Sequence, residues 1–244
     1  MITTGWHAVD TADGPMRVWS AAPGNRPAKE TVLVLQEAFG VNPQIQYVTR
    51  RLAAEGYHAV APDLFHRTGI EVLRYDEYAK AMTLIGDIGA EQIVADVCAA
   101  LLFAGQARAA VIGFCFGGRA AFTAATAVPG LSATVVFYGP GIAAGPHAVL
   151  DRASSITAPV LLHTGAEDAS IPAEQVAATE EALREAAVRF ESHVYPGAGH
   201  AFACDARPDR FHPEAARQAW QRTYRFLEEN LGSSGAAADP RPGR

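Results

Sequence analysis

The feature that most constrains this chain is a cysteine set between glycines. Residues 113–118 read Gly-Phe-Cys-Phe-Gly-Gly, with the apolar run Ala109–Ile112 before them and a small-residue stretch to Val128 after them. A short apolar run without alternation is the pattern of a strand buried on both faces. A chain that passes from such a strand into a helix through Gly-x-Cys-x-Gly must turn sharply, and glycine on either side lets strand and helix approach. The cysteine then stands just ahead of a helix N-terminus, whose partial positive charge favours a thiolate. A free cysteine is more commonly a small buried hydrophobe. The strand–glycine–cysteine–glycine–helix order is what marks Cys115 as a nucleophile.

The rest of the chain alternates in the same way. Strands are expected at Met16–Ser20 (after a turn at Asp13-Gly14), Val32–Leu35, Tyr57–Ala61, Thr134–Tyr138, Pro159–His163 and Arg189–Tyr195. Helices are expected from Pro43 to Glu55 behind an Asn42 cap, and as two pieces across Tyr75–Phe103 broken near Gly86 or Gly89. Others are expected at Gly117–Val128, Ala173–Ala187 and Pro213–Leu231. This alternation predicts an α/β chain with a mostly parallel central sheet and helices on both faces. With the cysteine turn, it predicts an α/β-hydrolase fold. The expected organisation is one domain over residues 1–231 and a flexible C-terminal tail over 232–244, with residues 139–155 as a loop near the rim of the sheet.

Composition narrows the function classes. Lys plus Arg number 20 against 26 acids, a formal charge of -6, which argues against a nucleic-acid partner. No apolar stretch reaches the length of a membrane span, and the N-terminus does not read as a signal peptide. The three cysteines, Cys98, Cys115 and Cys204, form neither a disulfide framework nor a zinc pattern, so a reduced, cytoplasmic setting is expected. No Walker loop, dinucleotide fingerprint or ligand-spaced metal cluster is present, so no cofactor and no metal are implied.

In this architecture the chain order is nucleophile, acid, histidine. After Cys115, the apolar run ending at His163 leads into Gly-Ala-Glu-Asp at 165–168. Asp168 is preferred to Glu167 as the acid; the lesser alternative is that it only caps the next helix, which starts after Ile171-Pro172. The run ending at Tyr195 leads into Pro-Gly-Ala-Gly-His at 196–200. That places His200 on a glycine-rich turn from which it can reach the thiol, with Asp168 fixing its tautomer. Glu37 follows the run Val32–Leu35 by two residues and so faces the same rim, or else is a solvated loop acid.

These residues resemble the dienelactone hydrolase (carboxymethylenebutenolidase) family over nearly the whole chain, about residues 4–229. The resemblance rests on Gly-Phe-Cys-Phe-Gly-Gly at 113–118, Gly-Ala-Glu-Asp-Ala-Ser-Ile-Pro at 165–172, Pro-Gly-Ala-Gly-His-Ala-Phe-Ala at 196–203 and Gln-Glu-Ala-Phe-Gly-Val-Asn at 36–42. It implies a monomeric, metal-free hydrolase that opens a small-molecule ester or lactone, dienelactone to maleylacetate, in aromatic-compound breakdown. It places a catalytic triad on Cys115, Asp168 and His200. It gives Glu37 the role of contacting the resting nucleophile until substrate displaces it, and it places the oxyanion hole on the N–H groups of Ala38 and Phe116. By spacing, the family's substrate-carboxylate arginine and a nearby tyrosine fall on Arg74 and Tyr78. Two family positions differ: Cys204 stands where a second arginine is expected, and Ala201 where a serine is. Arg207 or Arg210 could take over, without spacing to support it. Phe39, Phe65, Phe116 and Tyr138 are expected as apolar walls of the pocket, or as plain core.

Two other readings stay open. One is a general carboxylesterase or thioesterase acting on neutral esters. The other is a non-catalytic redox-sensing or binding protein using Cys115, with Cys204 as resolving thiol and Cys98 in helical core.

Overall fold

The apolar runs do form the middle of a sheet. The computed structural model describes residues 1–105 and 108–232. Eight strands pair in the order β1-β2-β4-β3-β5-β6-β7-β8. They are β1 Ile2–Thr11, β2 Gly14–Pro23, β3 Thr31–Leu35, β4 His58–Pro62, β5 Ala109–Phe114, β6 Leu131–Phe137, β7 Val160–Gly165 and β8 Phe190–Tyr195. β1, β2 and β4 pair antiparallel; the remaining pairs are parallel. Every residue of β3, β5 and β7 is buried, as strands covered on both faces require.

The helices are α1 Pro43–Ala54, α2 Tyr78–Gly86, α3 Ala90–Ala104, α4 Phe116–Ala127, α5 Ala173–Glu185 and α6 Pro213–Leu231. Asn42 caps α1 as expected, its side chain accepting from the Ile45 N–H at 3.1 Å. Two apolar clusters lie on opposite faces of the sheet. One gathers Leu33, Val60, Ile93, Val97, Phe122 and Leu183. The other gathers Val34, Ile45, Leu52, Phe137, Trp220 and Phe226.

Three expectations change. The strand expected over Met16–Ser20 runs for ten residues, Gly14–Pro23, and pairs with a second of ten, Ile2–Thr11, because the hairpin pairs along its whole length even where it is exposed. Residues 139–155 are not wholly loop: Leu150–Ser155 is a 3-10 helix, held by burial of Val149 and Ala153 in the core. The helix expected from Tyr75 begins at Tyr78, leaving Tyr75 in a turn. Residues 233–244 of the expected tail lie outside the described residues.

Parallel register brings the functional ends together. Leu35 lies beside Gly113, Phe114 beside Phe137, and Gly165 beside Tyr195. Glu37, Cys115, Tyr138, Asp168 and His200 all follow these strand ends, where open parallel sheets place their sites.

Candidate active site

The site starts at the turn between β5 and α4. Cys115 has φ 56° and ψ -118°, a strained conformation for a residue with a side chain. The turn is possible only because Gly113 has no Cβ: one placed there would lie 1.8 Å from the Gly117 carbonyl oxygen. Gly118 and Arg119 donate their N–H groups to the Cys115 carbonyl at 2.8 and 3.2 Å, so the helix begins immediately and Cys115 stays half-exposed at its tip.

His200 stands in the turn after β8 and lines one cavity with Cys115, whose charge acts on it. Its Nδ1 lies 2.7 Å from Asp168 Oδ2, and Asp168 is buried. Ser170 completes the group. Its N–H and hydroxyl both donate to Asp168 Oδ1, and the hydroxyl lies 3.1 Å from His200 Nδ1. Burial works to lower the His200 pKa, but the thiolate charge of Cys115 and the bond to Asp168 outweigh it and push the value up to about 10. For Asp168, burial works upward; the bonds from His200 and Ser170 overcome it and hold the carboxylate below its ordinary range. A second close approach sets the histidine turn. A Cβ on Gly165 would lie 2.3 Å from the Ala198 carbonyl oxygen, so only glycine at the end of β7 lets that turn settle beside Asp168.

Glu37 is 2 % exposed. Among the described residues its side chain accepts from Cys204, whose Sγ lies 3.9 Å from Oε2. This differs from the resting contact with the nucleophile that the resemblance implies: a thiol now occupies the position of the family's arginine, and the carboxyl turns toward it. Burial raises the Glu37 pKa against the charges of Arg207 and His200. Burial and the Glu37 charge push the Cys204 thiol up to about 12, so it is a neutral donor. Tyr75 links the group outward, 3.2 Å from Asn42 Nδ2 and 3.5 Å from Cys204 Sγ.

Above these residues is a cavity of about 510 Å3. Its lining includes Ala38, Phe39, Cys115, Tyr75, Tyr78, Met82 and Ile85, together with Asp168, Ser170, His200, Arg207 and Arg210. Among the described residues, neither the Ala38 nor the Phe116 N–H donates to a protein acceptor. Arg207 lies over the rings of Tyr75 and Phe39 at 5.0 and 5.9 Å, and no carboxylate among the described residues forms an ion pair with it.

Several expected pocket residues lie elsewhere. Arg74 is not in the cavity wall. It is turned into solvent, with Nε 3.0 Å from Asp76 Oδ1 and Nη1 3.8 Å from Glu77 Oε2; two adjacent acids hold it away. Tyr138 is fully buried behind His200, ring centroids 5.3 Å apart, and its hydroxyl has no partner among the described residues. Phe65 and Phe116 are core. Phe39 and Tyr78 do line the cavity. Sequence reasoning missed Tyr75, which sat inside an expected helix. It also missed Ser170, although an Asp-x-Ser turn in which the acid accepts two residues on was a readable signal.

A family model described as "Dienelactone hydrolase family" matches residues 16–231. The chain belongs to the dienelactone hydrolase family. A Salmonella typhimurium protein named "Putative carboxymethylenebutenolidase" is 36 % identical, over 96 % of this chain and 90 % of its own length. An Escherichia coli K12 protein of the same name is 34 % identical, over 95 % of this chain and 89 % of its own length. The crystal structure titled as a putative dienelactone hydrolase of Klebsiella pneumoniae superposes with a TM-score of 0.85 at 35 % identity, covering 94 % of this chain and 99 % of that one. The fold is that of these α/β-hydrolases, and the chain is a hydrolase of the dienelactone hydrolase type. Among the described residues, no helix is long and apolar enough to cross a membrane.

Proposed function

We propose that the chain hydrolyses a dienelactone-like ester or lactone through a thioester on Cys115. The observation that carries this reading is the placement of His200. It lines one cavity with Cys115 and lies 2.7 Å from the buried Asp168. His200 takes the thiol proton, and the imidazolium is supported by Asp168. The thiolate adds to the substrate carbonyl, and the oxygen that gains the negative charge lies between the free N–H groups of Ala38 and Phe116. Two such donors contribute about 3 kcal/mol or more each. Collapse of the intermediate breaks the carbon–oxygen bond; His200 returns its proton to the departing oxygen, leaving a thioester. His200 then takes a proton from water, whose oxygen attacks the thioester, and the released thiolate recovers its proton. Arg207 and Arg210, rather than Arg74, supply positive charge for a carboxylate-bearing substrate. Three cysteines without disulfides suit a cytoplasmic setting.

The exposure of Arg74 favours a second reading, a carboxylesterase acting on neutral esters. Hydrolysis of a dienelactone and of a neutral activated ester, by wild type and Cys115→Ala, separates the two. Loss of both activities in the variant, with a wild-type preference for the dienelactone, is expected. Preference for the neutral ester selects the second reading, and activity unchanged by the substitution overturns the cysteine mechanism.

A further inference from the structure

Helix α4 contains a residue that packing alone does not explain. It is built from small side chains and buried along its length, yet its first turn carries Arg119, only 6 % exposed. Among the described residues, no carboxylate forms an ion pair with it. Its guanidinium donates to the Ile85 carbonyl at 3.3 Å and lies 5.3 Å from the centroid of the Phe116 ring. Ile85 is at the C-terminal end of α2, where the helix dipole favours a cation. A carbonyl and a ring face are weak compensation for a buried full charge, which is costly unless it is paired. Cys115 is the residue ahead of this helix, its carbonyl accepting from the Arg119 N–H at 3.2 Å, and it is the negative charge that acts on Arg119, against the burial that otherwise lowers its proton affinity.

We infer that Arg119 is a positioning residue for the nucleophile, its fixed charge stabilising the Cys115 thiolate while its bond to Ile85 ties the α2 wall of the cavity to the turn. The other titratable groups around this turn are His200 with Asp168 behind it from the loops after β8 and β7, Glu37 after β3, and the neutral Tyr138 after β6. His200 loses its charge through about pH 10, and the two carboxylates and Tyr138 do not add positive charge. Arginine keeps its charge across that whole range, so its contribution reads out on the acid side, where the thiolate is hardest to form.

The test is the pH profile of Cys115 alkylation by iodoacetamide, with modified sites assigned by peptide mass so that Cys98 and Cys204 are counted separately. Arg119→Met removes the charge and keeps the bulk. Its profile is expected to move up by about one pH unit or more, with about tenfold slower alkylation at pH 6 and the same plateau at high pH. Arg119→Lys is expected to restore most of the wild-type profile. If Arg119→Met does not fold, Arg119→Gln makes the same comparison while keeping a donor for Ile85. An unmoved profile in a folded charge-free variant, even one of lower stability, overturns the inference. Alkylation does not depend on hydrolysis: a shifted profile in a chain that cleaves no ester keeps the role of Arg119 and defeats the hydrolase reading instead.

Discussion

At the residue scale the site is a set of opposed electrostatic demands. His200 is half-buried, which disfavours its charge, yet the thiolate and Asp168 keep it protonated to about pH 10. Removing the supporting carboxylate reverses that balance. In Asp168→Asn, the His200 titration followed by NMR is expected to fall by about one to two pH units, with kcat lower by about 10²- to 10⁴-fold. A titration left near pH 10 would show that Cys115 alone sustains the imidazolium. Glu37 and Cys204 show the converse case. Both are buried acids, both are pushed toward their neutral forms, and each serves the other as hydrogen-bond partner.

At the element scale, connections rather than strands position the chemistry. The segment between β4 and α2 carries Tyr75 to the cavity, delivers Tyr78 at the first position of α2, and is fastened by buried polar contacts. Arg67 reaches the fully buried Asp96 of α3 with Nη1 and Nη2 at 2.7 and 2.8 Å, and His66 lies 3.2 Å from the same carboxylate. On the other side, the end of β7 and the turn after β8 touch at Gly165. A methyl group there, 2.3 Å from the Ala198 carbonyl oxygen, must push the His200 turn outward. Gly165→Ala is expected to lower kcat by about 100-fold, because a displacement of about 1 Å in a catalytic group costs that much. Cys115 should keep its place, since β5 and α4 are untouched. Normal turnover with a shifted thermal midpoint would mean that the turn tolerates the change.

For the whole molecule, the C-terminal helix is joined to the sheet by a buried polar link as well as by apolar packing. His163 of β7 is fully buried, with Nδ1 2.9 Å from Tyr195 Oη and Nε2 3.1 Å from Thr223 Oγ1 of α6. Burial holds its pKa well below 6.5, so the folded protein keeps it neutral in mild acid. The unfolded chain takes up a proton there below about pH 6.5. The stabilisation linked to this residue is therefore complete above that value and is lost as pH falls, by up to about 1.4 kcal/mol per pH unit. Urea unfolding at pH 7, 6 and 5 is expected to show this slope, reduced in His163→Gln. An equal slope in the variant would assign the acid sensitivity to other groups.

Local pattern carried much of the molecule. The parallel sheet and helix order were legible because buried strands, caps and breakers are written in neighbouring residues. The turn at Cys115 and the candidate partners Asp168 and His200 were legible because glycine spacing and strand ends are local signals too. Tertiary structure decided the rest. Arg74 matched the family's spacing yet is held in solvent by Asp76 and Glu77, while Arg207, with no spacing to recommend it, lies in the cavity wall. Tyr138 took a place behind His200 instead of in the cavity wall, and Arg119 disappeared into the core next to the Cys115 turn. A long side chain on a loop or helix end can point several ways from one backbone position, and the neighbours that choose among them are distant in sequence.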